Sequence, residues 1–241
     1  MSSRLTPWQA LTGFAAVWVI VEALFEFATK WSLETLQLPS IRGRAAVGAV
    51  FGVGLMWAML GICILFLRWR GQTLADVGWR RPATTRSWWL ALALVALVAG
   101  GALFGPLGKA AQLLSDWSFY RILLAIIMGA TAGICLETVF RGFVMTQARD
   151  AGMPTVIQIA MSAVLCALVL ARFAYTSYPI HPDFSGVVAT TMSSVVLCAF
   201  FAVIYVIGRR SLNPAIAAHA AIDMVVEPGL MLLAAMGGVV R

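Results

Sequence analysis

Charge is what this chain has least of. Only 11% of its 241 residues are Asp, Glu, Lys or Arg, while 61% are hydrophobic, and the mean hydropathy is +0.91. A soluble domain carries about 25% charged residues. The shortfall excludes an ordinary water-soluble globule and suits a bilayer solvent, where each exposed charge is costly. No polar stretch is long enough for a separate soluble domain, so residues 1–241 read as a single integral membrane domain. Cysteine motifs are missing as well. Cys63, Cys135, Cys166 and Cys198 each lie in an apolar run without CxxC spacing, which reads them as small buried hydrophobes. Histidine is nearly absent: there are two, His181 and His219, and no HExxH. His219, Asp223 and Glu137 supply atoms a metal accepts, but with so few ligands no metal and no cofactor is expected. Most apolar runs lack period-2 alternation, which favours helices over a barrel. The net charge of +7 comes without a basic patch interleaved with aromatics, so no nucleic-acid partner is expected. The first apolar run lacks an AxA-like exit and continues into Glu26 and Lys30. It reads as a retained helix rather than a cleaved signal.

What is present is a series of runs near the length of about 20 apolar residues that a spanning helix needs. They lie at roughly 8–27, 45–67, 87–106, 121–147, 155–171, 185–207 and 213–225. A further apolar piece, 229–240, follows the breaker Glu227-Pro228-Gly229. The expected fold is all-α, a polytopic membrane protein of seven or eight transmembrane helices. With the N-terminus inside, nine flanking cations fall on the cytoplasmic face (Arg4, Arg68, Arg70, Arg80, Arg81, Arg86, Arg149, Arg209, Arg210). Six fall outside (Lys30, Arg42, Arg44, Lys109, Arg121, Arg172). The excess favours a cytoplasmic N-terminus in a multi-pass cell-membrane protein. The basic loop 68–87 carries Trp69 and Trp79 and runs into Trp88 and Trp89. It reads as a surface segment packed at the headgroups.

Ionisable residues inside the spans are functional candidates, each needing a partner. Glu137 and Arg141 share one face of the fourth span at i,i+4, and His219 and Asp223 do the same in the seventh. At about 1.5 Å per residue, Glu137 lies roughly 16 Å from the cytoplasmic end of its helix and His219 about 9 Å beyond Asn213. Both pairs thus fall in the cytoplasmic half of the membrane, where they can meet across a helix interface. The bland reading of Glu137/Arg141 is a neutralised ion pair pinning helices together, and that of His219/Asp223 an interhelical hydrogen bond. Glu22 and Glu26 lie near a helix end and reach the interface.

These motifs resemble those of the CPBP intramembrane proteases (CAAX protease and bacteriocin-processing), which include the type-2 CAAX prenyl endopeptidases. The family's EExxxR, usually within EExxFRG, stands here as Leu136-Glu137-Thr138-Val139-Phe140-Arg141-Gly142. Its HxxxN/D motif, with its lead-in, stands as Arg209-Arg210-Ser211-Leu212-Asn213-Pro214-Ala215-Ile216-Ala217-Ala218-His219, closing on Asp223. Thr73 to Pro82, TLADVGWRRP, resembles the family's surface segment, so the likeness covers roughly 70–225. It implies an ancestral reaction of peptide-bond hydrolysis near the cytoplasmic membrane face. It also implies retained catalytic positions at Glu137, Arg141, His219 and Asp223, and a membrane-associated peptide or lipidated protein as partner besides the lipid bilayer.

Two positions depart from the pattern. The family's first glutamate is taken to activate water, and Leu136 stands there. Its FxxxH motif, whose histidine helps hold the oxyanion, corresponds to Ser162–Leu170, with Cys166 for Phe and Leu170 for His. General-base assistance is worth about 10²–10⁴ in rate and an oxyanion donor about 10²–10³. The expectation is therefore impaired or lost activity. Three functions stand side by side: a peptidase rearranged around Glu137, with His219 polarising the carbonyl and Asp223 orienting it; a non-catalytic pseudo-protease that binds a membrane peptide or partner protein; and a transporter. The last lacks the paired broken helices of that class. His181 falls in a loop on the face opposite the motifs.

Overall fold

The computed structural model describes residues 5–37, 41–79, 84–104, 119–177 and 184–237. These residues form seven helices: α1 Pro7–Leu36, α2 Ile41–Trp69, α3 Arg86–Phe104, α4 from Phe119 to Asp150, α5 Thr155–Ser177, α6 Phe184–Ile207 and α7 Asn213–Gly237. No strand occurs among the described residues. Three helical segments, Pro7–Leu36, Ala46–Trp69 and Ile122–Asp150, are each long and apolar enough to cross a membrane. Shorter apolar stretches lie at Arg86–Val98, Thr155–Leu170 and Thr191–Ile207. The fold is that of an all-helical polytopic membrane protein.

The helices run past the apolar windows that announce them. Glu22, Glu26 and Lys30 do not end α1, because polar side chains tolerate a helix wherever they can reach water, and Lys30 pairs with Glu26 at 2.9 Å. The start of α1 is sharply defined. Thr6 accepts from Gln9 N–H, Gln9 accepts from Thr6 N–H, and Pro7 sits where its missing N–H is not needed. At the other end of the chain, the expected break at Glu227-Pro228-Gly229 does not occur, since α7 continues to Gly237. Residues 229–237 are therefore not a separate eighth helix. In lipid a helix has no water to which it can surrender its hydrogen bonds, and internal proline is tolerated there.

The fourth span departs from expectation in kind. It is α-helical from Phe119 to Leu136, π-helical over Glu137–Val144, and α-helical again over Met145–Asp150. All eight π residues are buried, and the stretch is packed against α2, α5, α6 and α7. At the junction Thr138 Oγ1 bonds back to Ile134 O at 2.6 Å, a side-chain bond that competes with the regular ladder. Ser162 of α5 donates to Phe140 O at 2.9 Å. Short π stretches of this kind are frequent at functional sites.

The most extensive helix contacts are α4 with α7 and α5 with α6. The α4–α7 approach depends on two glycines four apart. A Cβ on Gly129 would lie 2.6 Å from Ala220 O, and one on Gly133 would lie 2.7 Å from Ile216 O. This small-xxx-small pattern lets two backbones touch in a membrane. It also sets the height at which Glu137, one turn further along α4, faces α7.

One end of the bundle is a polar seam. Arg70 at the end of α2 donates to Leu5 O at 2.7 Å and to Gln147 Oε1 at 3.0 Å. Gln147 in turn donates to Gln72 at 2.7 Å, and Gln72 donates to Asp150 at 2.8 Å. The start of α1, the end of α2 and the end of α4 are thus tied together. The surface segment docks beside them. Asp76 accepts from both the N–H and the hydroxyl of Thr73 at 2.7 Å, and these bonds hold its carboxyl below the usual range. A depressed carboxyl stabilises the turn above its unfolded pKa, and the contribution is lost as pH falls through the folded value. Val77 is fully buried and accepts from Tyr205 Oη at 3.3 Å. Gly78, at φ +108, accepts from Leu212 N–H at 2.9 Å. A Cβ there would lie 2.3 Å from Arg210 O. Gly78→Ala is therefore expected to lower stability by about 1–3 kcal/mol, through left-handed strain and overpacking together. Detergent-solubilised protein followed by thermal unfolding measures it; an unchanged midpoint would contradict the docking.

Candidate functional site

The two charged pairs, from segments far apart in the chain, meet. Glu137 Oε1 lies 3.1 Å from Arg141 Nη1 and 2.5 Å from His219 Nδ1. His219 Nε2 lies 3.4 Å from Asp223 Oδ2. The order is Arg141–Glu137–His219–Asp223, a line of alternating partners from the bundle interior toward its edge. Glu137 and Arg141 side chains are fully buried, His219 is 4% exposed and Asp223 16%. Two carboxylates face one guanidinium and one imidazole, so the cluster is neutral whenever the ring is protonated. That neutrality is what a charged group deep in a membrane protein requires.

Arg141 is held from several sides. Its Nη2 donates to Cys198 O at 2.8 Å and its Nη1 to Cys166 Sγ at 3.3 Å. Its guanidinium lies 5.3 Å from the centroid of the Phe201 ring. That ring in turn stacks on His219, with centroids 4.7 Å apart and planes 10° from parallel. Phe201 therefore touches both groups, and its stacking fixes the ring plane of His219. Two polar atoms of the cluster, Glu137 Oε2 and Arg141 Nε, have no hydrogen-bond partner.

Leu136 is 2% exposed and belongs to the main apolar cluster, with Ala132, Val139, Phe140, Phe143 and Cys166. Leu170 packs against the same cluster. The two departures from the family pattern are thus parts of one hydrophobic core, not isolated substitutions on a polar wall. Each ring nitrogen of His219 faces a carboxylate, Nδ1 at 2.5 Å and Nε2 at 3.4 Å.

Other sequence candidates fall elsewhere. Glu26 pairs with Lys30 at a half-exposed position of α1. His181 lies outside the described residues, as do Arg80, Arg81 and Pro82 of the surface segment. No group of three or more metal-ligating side chains occurs among the described residues. Gly142, the glycine of FRG, serves the docking of the surface segment: a Cβ there would meet Val77 O at 3.1 Å. Sequence reasoning does not reach Cys166 and Cys198 as partners of Arg141, since nothing local marks a contact between helices. It does carry a signal for the α4–α7 contact, in Gly129-Ala130-Thr131-Ala132-Gly133 within an apolar run.

Comparison with known proteins agrees with the motifs. Residues 116–225 match the family model described as "Type II CAAX prenyl endopeptidase Rce1-like". No curated protein and no solved structure matches the chain. The matched segment holds the π-helical stretch, the Cys166/Leu170 motif and the His219/Asp223 pair. Over residues 116–225, the resemblance to the CPBP/CAAX protease family is thereby established.

Proposed function

We propose that this protein is a pseudo-protease of the CAAX protease kind, binding a membrane-associated peptide or a lipidated protein without cleaving it. The observation that carries the reading is the packing of Leu136. A general base must lie within about 2.6–3.2 Å of the water it activates. At this position an aliphatic side chain is enclosed by other apolar side chains and can take no proton. Leu170, in place of an oxyanion donor, packs on the same cluster. The engagement of both His219 nitrogens by carboxylates argues the same way. In this reading Glu137, Arg141, His219 and Asp223 are a buried brace inherited from a catalytic site.

A second reading, residual hydrolysis with Glu137 as base, draws on the unpartnered Glu137 Oε2. Orphaned buried acceptors often hold a water. It requires Glu137 to activate that water while its other oxygen bridges Arg141 and His219.

The membrane orientation follows the same proposal. The polar seam joining Leu5, Arg70, Gln147 and Asp150, together with Arg149, Arg209 and Arg210 at the same end of the bundle, fits a cytoplasmic face under the positive-inside rule.

The test is peptide cleavage by the full-length protein reconstituted in liposomes, using a prenylated peptide ending in a CAAX tetrapeptide. The unaltered protein is expected to leave the peptide intact at background rate. The combined Leu136→Glu and Leu170→His variant, once shown to remain folded, is expected to raise cleavage above that background. Cleavage by the unaltered protein that disappears on Glu137→Gln substitution defeats the proposal and establishes the second reading.

A further inference from the structure

The cations at the polar end of the bundle are of two kinds. Arg70 and Arg149 pair with Asp150 at 3.4 and 3.0 Å, and Arg210 donates to Gln158 Oε1 at 2.7 Å. Arg68, in the last turn of α2, and Arg86, at the start of α3, are exposed and have neither an ion pair nor a hydrogen bond among the described residues. Both lie at the same end of the fold. Arg70, two residues after Arg68, is tied to the end of α4 through Gln147. Thr84, two residues before Arg86, donates to Ile207 O at the end of α6 at 3.4 Å. The surface segment joins the two, since Gly78 O accepts from Leu212 N–H just past α6. Each arginine also stands where apolar surface gives way to polar. Leu65, one turn before Arg68, is half exposed, and so is Trp69 after it. Trp89, one turn after Arg86, is 69% exposed, and Leu92 follows at 58%. Exposed leucine on a spanning helix meets acyl chains, and exposed tryptophan settles at the headgroup level. The stems of Arg68 and Arg86 therefore cover the acyl boundary while their guanidiniums reach the phosphates. The far end of α1 differs. There Lys30 is paired with Glu26 at 2.9 Å, and Glu34 lies one turn on.

We propose that this end of the bundle holds anionic phospholipid, with Arg68 and Arg86 each binding one headgroup. A guanidinium without a protein counter-charge presents a fork of N–H donors, which matches the two free oxygens of a phosphodiester. The headgroup must carry a net charge. A zwitterionic headgroup brings its own ammonium beside the phosphate and leaves the arginine without a full counter-charge. Phosphatidylglycerol brings no such cation. The acyl chains lie against Leu65 on one side and Leu92 on the other, so the occupant is a lipid and not free phosphate. Neither arginine belongs to the buried cluster, and the inference is independent of whether peptide hydrolysis survives.

The test is native mass spectrometry of the full-length protein, delipidated in detergent and titrated separately with phosphatidylglycerol, phosphatidylcholine and inorganic phosphate. Two phosphatidylglycerol molecules are expected to bind, each about fivefold more tightly than phosphatidylcholine. Arg68→Gln and Arg86→Gln should each reduce the tight sites from two to one, and the double variant should bind the two lipids alike. Lys30→Gln, at the far end of α1, should change nothing. Inorganic phosphate at the same concentrations should neither bind nor displace lipid. Should a variant fail to fold, the comparison of the two lipids on the unaltered protein decides alone. Equal affinity for the two lipids, a preference for phosphatidylglycerol that survives the double substitution, or displacement of the lipid by inorganic phosphate overturns the proposal.

Discussion

Glu137→Ala is expected to destabilise the protein by about 3–5 kcal/mol, the cost of stranding a buried cation by removing its partner. Arg141 is fully buried, and its Nε already lacks a partner. Without the carboxylate, its charge would face only a thiol, a carbonyl and an aromatic ring. The deletion also removes the 2.5 Å contact to His219, a polar link between α4 and α7. The companion variant sharpens the prediction. Replacing both Glu137 and Arg141 by methionine removes the ion pair without leaving a lone charge, and such apolar replacements are often neutral. The double variant should therefore unfold later than Glu137→Ala. Thermal or denaturant unfolding in detergent, followed by circular dichroism, compares the three proteins. A double variant less stable than the single one would show that the pair does more than neutralise itself.

Gly133→Leu is expected to be the most damaging substitution at a position carrying no charge. The first atom of any side chain there would meet Ile216 O at 2.7 Å and Ala220 N at 3.0 Å. Backbone atoms cannot rotate away as a side chain can, so the helices must part. Overpacking costs about 1–3 kcal/mol in most cores, occasionally more. Here it also pulls His219 away from Glu137, so an effect of about 3 kcal/mol or above is expected. Gly61→Leu provides the control, since a Cβ at Gly61 meets nothing within 4 Å. The two variants are compared by the fraction of monodisperse protein on size exclusion and by unfolding midpoint. Equal behaviour would remove the α4–α7 glycine contact from the account.

The helical membrane fold was legible because a bilayer imposes one crude rule, that backbone polar groups be satisfied within the helix wherever hydrocarbon surrounds it. The convergence of Glu137 with His219 was legible for a related reason: charges in that medium need partners, and the chain offers few. The helix ends were less so. The apolar windows stop near residues 27 and 225, while the hydrogen-bond ladder continues to Leu36 and Gly237. The π-helical register of Glu137–Val144 was not legible, because it depends on packing from four other helices. The same holds for the Arg141–Cys166 contact, which joins residues on different helices without any shared motif. The contact of Phe201 with both His219 and Arg141 belongs to that class too. By contrast, Gly129 and Gly133 carried a readable spacing whose partner, the Ile216–Ala220 backbone, only the fold identifies.

The pseudo-protease reading holds that the Glu137–Arg141–His219–Asp223 cluster survives beside a water-activating position closed by Leu136. Single-turnover cleavage of a prenylated CAAX peptide by a stoichiometric excess of liposome-reconstituted protein tests it most directly, since even a slow hydrolysis would register. On that reading the unaltered protein and its Glu137→Gln variant leave the peptide equally intact over the whole time course. Product formation by the unaltered protein, abolished by Glu137→Gln, would contradict it.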